Sequence, residues 1–284
     1  MQPTSRTASG NRLSAVSFRG IRYEKNPVRI DIAGTIESIA KIDKDLLYRC
    51  YNTFYNLNNM VIAVAGNFDV DKTLEICDEL LKPSKDHGLQ VIVPDEPLTV
   101  HEKRNVQKLS CAIPLFNIGW KFPAYSGKEQ LEKYIVYNIL MELCLGKTSD
   151  FYNRMYEDGL LNDAFNVGVF CGRGFFSVIA DGESTDPDKV LSEIEKELFR
   201  LRKEGLDEDE FITIRNKTYG ELVAGFNNVE SVANAMIAQE INDVGIYDGI
   251  EITANTTFAD IKSALDDFDI ENNSISIIEP ADEN

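Results

Sequence analysis

The stretch LNNMVIAVAGNFDV, Leu57 to Val70, decides how this 284-residue chain is read. Polar turn residues lead in, an apolar run from Met60 to Ala65 follows, and Gly-Asn-Phe-Asp closes it. A short apolar run between turn residues predicts a buried strand. The acidic segment Val70 to Leu81 behind it has helical spacing, and Pro83 stops it because proline cannot continue a helical ladder. Ahead of it, Ile39, Ile42, Leu46, Leu47, Cys50, Tyr51 and Phe54 recur at three and four residues. They predict an amphipathic helix with Asp43 as its N-cap. Tyr48, Tyr51, Phe54 and Tyr55 share that spacing, which predicts a core stripe rather than a stacking platform.

Residues 83–106 are polar and Pro-rich and read as a linker, with a short extended piece at Val91–Val93. Beyond it, KLSCAIPLFNIGWKF predicts a long strand or a strand pair, and Lys128–Leu145 and Ser149–Glu157 predict helices. DAFNVGVFCGRGFFSVIADG predicts two strands around a glycine turn. Asp186-Pro187 opens a helix to about Lys203, ended by Gly205. Asp207 with Glu210 is a capping-box variant for a helix to about Phe226. Helices over Val229–Asn242 and Phe258–Phe268 and a strand Asn273–Pro280 complete an α+β order, helices packed on one face of a mostly antiparallel sheet.

Net charge is −18 and hydrophobic residues make up 43%. The acidity argues against nucleic acid, whose phosphates need clustered Lys and Arg. No run approaches a membrane span, since Asn138 and Glu142 interrupt the apolar patch Tyr134–Gly146. The five cysteines are widely spaced with no CxxC pair, as expected of free buried thiols in a reducing cytoplasm.

Catalytic motifs are scarce. The two histidines, His87 and His101, both fall in the linker, with no metal-ligand spacing around them. CGRGFF is short of a phosphate-binding glycine motif and turns between strands. Gly146-Lys147-Thr148 follows a helix, so Gly146 reads as a helix-ending glycine. Paired acids such as Asp266-Asp267 read as solvated faces.

Two long phrases carry more than any motif. NPVRIDIAGTIESIAKIDKDLLYRCYNTFYNLNNMVIAVAGNFD, Asn26–Asp69, and GKTSDFYNRMYEDGLLNDAFNVGVF, Gly146–Phe170, occur in this order. Together they resemble peptidase family M16, the insulinase and pitrilysin group of zinc metallopeptidases, closest in wording to the small bacterial YfmH-like members. The resemblance runs from about Asn26 to Glu279. It implies one partial and one complete domain: a disordered or non-homologous leader, residues 1–18; the end of a catalytic-type domain, 19–82; the linker, 83–106; and an inactive-type domain, 107–284.

In the family, a His-x-x-Glu-His motif and a later Glu hold zinc, and the motif's Glu acts as general base. Those groups precede the matching segment, so no catalytic and no metal residue carries over. Arg29, Glu37 and Glu75 are not substitutes. Many relatives also hold the substrate carbonyl with an Arg before the Gly-Leu turn and a Tyr after it. Aligned on Gly159-Leu160, these positions fall on Met155 and Asn162, with Arg154 one residue away and Phe165 lacking a hydroxyl. The resemblance implies a non-catalytic fragment of a zinc peptidase, without zinc of its own. The alternative is an accessory subunit that pairs with an active M16 paralogue or binds peptides or unfolded polypeptide. Either leaves apolar faces such as Tyr48 and Tyr51 uncovered and open to self-association.

Overall fold

The computed structural model describes residues 19–281; the leader reading of residues 1–18 lies outside them. A one-turn helix α1 (Ile36–Ile39) leads to α2 (Lys44–Phe54) and α3 (Val70–Leu80). Then follow β1 (Arg104–Leu109), β2 (Leu115–Phe122), α4 (Gly127–Leu145), α5 (Asp150–Glu157), β3 (Asn166–Gly172) and β4 (Phe175–Glu183). The chain continues through α6 (Pro187–Glu204), α7 (Glu208–Gly225), α8 (Val229–Asn242), α9 (Asp248–Asn255), α10 (Phe258–Asp266) and β5 (Asn273–Pro280).

The five strands form one sheet in the order β1-β5-β2-β4-β3, antiparallel except for the parallel β1–β5 pair. Alternation along the strands gives the sheet two unlike faces. Phe116, Ile118, Trp120 and Phe122 of β2 join Phe176 and Val178 of β4 and Ile275 and Ile277 of β5 in the core. Against them pack Ile139 and Leu140 of α4, Ile194 and Leu198 of α6, and Ile261 and Leu265 of α10. Trp120 is fully buried and its indole N–H donates to the Ile270 carbonyl at 3.0 Å, so no polar atom is stranded by that burial. The opposite face carries Asn117, Gly119 and Lys121 from β2, Ser177 and Asp181 from β4, and Ser274 and Ser276 from β5. Most of these are buried too.

Helix ends follow local chemistry. Asp43, Asp69, Ser149, Asp186, Asp207, Asn228 and Thr257 each accept a hydrogen bond from a first-turn amide. At Asp207 only half of the predicted box forms. Gly205 stops α6 at φ +98°, and Gly174 alone supplies the positive φ of the β3–β4 turn. Gly146 ends α4 for another reason: a Cβ there would sit 2.3 Å from the Glu142 carbonyl oxygen.

Three expectations are corrected. Met60–Ala65 is not a strand: it runs extended but pairs with no strand among the described residues. A β-conformation needs ladder partners, and a local apolar pattern cannot supply them. The aromatic stripe of α2 is not core: Tyr48 and Tyr51 are 67% and 58% exposed, and neither α2 nor α3 contains a buried residue. KLSCAIPLFNIGWKF holds β2 but only the end of β1, Lys108 and Leu109; β1 begins at Arg104, within the stretch read as linker, and pairs with β5 instead of its neighbour in sequence. Helix α9 went unforeseen because Gly245, Gly249 and the β-branched Ile250, Ile252 and Thr253 weaken a helical reading.

All five cysteines are unpaired, and only Cys144 is fully buried, whereas Cys50 on α2 is exposed. In the native protein an alkylating reagent should modify Cys50 first. Cys144, whose thiol burial pushes well above its ordinary range, should react only after unfolding. Protection of Cys50 in mass-resolved labelling would show that the α2 face is covered.

Candidate functional site

Residues named by motif do not converge. His87 and His101 are exposed, and His101 meets only its neighbour Glu102, at 3.9 Å. Arg29 donates to the Glu24 carbonyl at 2.8 Å; Glu37 and Glu75 are exposed on α1 and α3. Among the described residues no three His, Cys, Asp or Glu side chains are grouped to hold a metal. The donor set of the described residues therefore does not fit a zinc ion.

The turn after α5 is the second place to look. Gly159 adopts φ +71°, and the Leu160 and Leu161 amides both donate to the Met155 carbonyl, at 2.9 and 3.1 Å. The Met155 side chain is buried in the core. Arg154, on another face of α5, donates to Glu197 of α6 at 2.9 Å. Arg200 grips the same carboxylate at 2.6 and 3.2 Å. Burial alone would raise the Glu197 carboxyl, but the hydrogen bonds from Arg200 and Arg154 outweigh it and hold it below its usual range. Asn162 is also occupied: its amide donates to Glu183 at 3.1 Å and its carbonyl oxygen accepts from the Ala164 amide. Phe165 is buried and stacks on Tyr152 at 6.1 Å. Thus the Arg and Tyr positions hold a core methionine and a turn asparagine, and the nearby arginine is tied to an ion network.

The charged centre that sequence reading missed lies on the polar face of the sheet. Residues 21–26 and 96–102 are clamped there by Lys121 and Glu96, whose side chains are 2% and 8% exposed and 2.7 Å apart. All three donors of the Lys121 ammonium are used, on Glu96, the Arg22 carbonyl (3.1 Å) and the Thr99 carbonyl (3.0 Å). Glu96 accepts the backbone amides of Glu24, Lys25 and Asn26 at 2.7 to 2.8 Å. Burial opposes the carboxylate, yet the bonds from Lys121 and these amides outweigh it and lower Glu96 to about 2.

Arg22 donates to Ser274 at 3.0 and 3.3 Å, and burial lowers it to about 9. Its guanidinium lies directly over Gly119, where an added Cβ would fall 2.1 Å from it. Tyr23 meets Ser177 at 2.5 Å, and burial raises it to about 12. Lys121, Glu96, Arg22 and Tyr23 each hydrogen-bond within the cluster, which acts as a structural clamp, while Asn117 Oδ1 and Ser276 Oγ on the same face are buried without a hydrogen-bond partner among the described residues. Its signal in the sequence was a lysine inside an otherwise uncharged strand, LFNIGWKF.

A third feature is apolar. Asn56 and Asn58 make a tight turn, closed onto Ser84 by bonds of 3.0 Å from the Leu57 amide and the Asn58 side chain. The turn launches the extended run over α3, where Met60, Ile62 and Val64 with Leu74, Cys77 and Leu81 bound a trough of about 460 Å³.

Two outcomes follow for the polar face. Glu96→Gln leaves the buried Lys121 without its counter-charge and should cost about 3 kcal/mol, or roughly 10 °C in Tm; adding Lys121→Met should recover most of it. Because Glu96 is depressed, its contribution is complete above its ordinary 4.5 and vanishes as pH falls toward about 2. The single variant should lose that acid slope. Asp181 behaves oppositely: burial raises it from 3.8 to about 6, so stability falls as pH rises through that window. Asp181→Asn should raise Tm at pH 8 and leave it little changed at pH 3.5, as read by calorimetry.

Residues 41–218 match the family model described as the peptidase M16 inactive domain. An uncharacterised zinc protease of Bacillus subtilis, YmfH, is 30% identical over 252 residues, 86% of this chain and 58% of its own length. The chain therefore spans little more than half of that relative. The crystal structure of an M16-like peptidase from Alicyclobacillus acidocaldarius superposes with a TM-score of 0.88 at 26% identity, covering 96% of this chain and 66% of that one. A peptidase M16 inactive domain from Pseudomonas fluorescens shares the fold, with a TM-score of 0.79 at 13% identity over 98% of this chain and 67% of the other. The chain belongs to peptidase family M16, and its matched region is of the inactive-domain type.

Proposed function

We propose that this polypeptide is a non-catalytic part of M16-type peptide-bond hydrolysis, forming the inactive-type half of a peptide-enclosing body. The carrying observation is the donor set: two exposed histidines, neither near a grouped carboxylate or thiolate among the described residues. In support, the Arg154, Met155 and Asn162 positions are committed to an ion network, the core and a turn. The division at residues 82 and 107 belongs to this proposal, as does a bacterial cytoplasmic setting, supported by the unpaired cysteines.

A second reading, an accessory subunit that pairs with an active M16 polypeptide or holds unfolded peptide, is favoured by one observation. The apolar surface of α2, α3 and Met60–Ala65 is open in the single chain. Such a surface marks an interaction site or an aggregation liability.

The purified chain, dialysed without chelator, should contain far less than one zinc per molecule and should not cleave a fluorogenic peptide. One zinc per chain with phenanthroline-sensitive cleavage would overturn the non-catalytic reading.

A further inference from the structure

One row of the sheet's polar face gathers oxygen atoms with nothing to bond them. Asn117 of β2 stands opposite Asp181 of β4 and Ser276 of β5, so the three central strands set these side chains next to one another on one face. Asn117 is 8% exposed and Ser276 is fully buried. Asn117 Oδ1 and Ser276 Oγ nevertheless have no hydrogen-bond partner among the described residues. Asp181 takes no hydrogen bond or ion pair from a described residue, and burial acts on its carboxyl unopposed. Arg22 does not relieve it: that guanidinium covers the neighbouring row, over Gly119, and bonds Ser274.

Buried polar atoms without partners are costly, and native proteins rarely keep them without a water or an ion to serve them. Asn117 Oδ1 and Ser276 Oγ are already enclosed, so what serves them has the size of a water or an ion rather than of further polypeptide. Charge decides between the two. A water leaves the Asp181 carboxylate unbalanced, whereas a cation balances it. Oxygen donors alone select a hard cation, not the nitrogen and sulfur chemistry of a structural zinc site. A single carboxylate neutralises one positive charge, which favours a monovalent ion over a divalent one where net charge is poorly solvated. Asp181 stays only half-buried, which leaves the ion a path in.

We propose that Asp181, Asn117 and Ser276 bind one monovalent hard cation, sodium or potassium, on the polar face of the sheet. The Asp181 carboxylate supplies the charge, and Asn117 Oδ1 and Ser276 Oγ replace waters of the ion's hydration shell. The ion joins β4, β2 and β5 on the face that also carries the Lys121–Glu96 clamp. The site is separate from zinc and from peptide cleavage, so it stands or falls independently of the non-catalytic reading.

The test follows the Tm of the full chain at pH 8 as tetramethylammonium chloride is exchanged for sodium or potassium chloride. Ionic strength is held constant, so that screening of a chain with net charge −18 does not change. At least one of the two ions should raise Tm saturably, by about 3 °C. Asp181→Asn should show no such rise, so saturating ion should close its stability lead over the parent at this pH. Ser276→Ala should need at least about tenfold more ion. Asp266→Asn removes an exposed carboxylate and should respond like the parent. Anomalous diffraction from crystals soaked in thallium(I) acetate should place the ion against Asp181 and Asn117. The proposal is overturned if neither ion raises Tm, or if Asp181→Asn responds as the parent does. An ordered water at this row with no anomalous signal would overturn it too, since water alone would then serve the stranded atoms.

Discussion

The Lys121–Glu96 pair holds the sheet's second face in place. A β-sheet in water buries one face on its helices, and here the other face is polar but also enclosed. Only partnered charge makes that tolerable, because an ion stripped of water without a counter-ion costs several kcal/mol. Lys121 spends each of its protons on a named acceptor. Glu96 gathers three successive backbone amides, which fixes the course of Glu24 to Asn26. Arg22 and Tyr23 are thereby laid over Gly119 and Ser177. One ion pair thus joins three distant pieces of chain, and the start of the described region becomes part of the sheet domain.

Against this clamped half, residues 42–81 are the reverse. They contain good helices with sound caps and amphipathic spacing, but Asn56 is the one residue there that is buried. Without apolar burial, little offsets the conformational entropy of ordering some forty residues, on the order of 1–2 kcal/mol each for the backbone. A segment in that condition is ordered when something covers it.

The sequence was most legible where local rules decide. Helix starts at Asp43, Asp186 and Asp207 were read from side-chain capping, and β5 was read at its observed limits, Asn273–Pro280. What escaped was set by tertiary structure. Met60–Ala65 has a strand's composition, but pairing depends on a neighbour that local pattern cannot reveal. The Lys121–Glu96 contact joins a strand to a stretch read as linker, and nothing local in Glu96 announces it. At the candidate site, the family resemblance located the α5 turn, but only the coordinates show Arg154 held by Glu197 and Met155 in the core.

The strands and helices from β2 to β5 share one buried core, whereas residues 42–81 present an open surface. Hydrogen exchange of the full chain at neutral pH tests this contrast directly. The amides of β2, β4 and β5 should exchange only by global opening, and those of Met60 to Ala65 at close to the rate of an unstructured peptide. Protection of Met60–Ala65 equal to that of β2 would contradict the account.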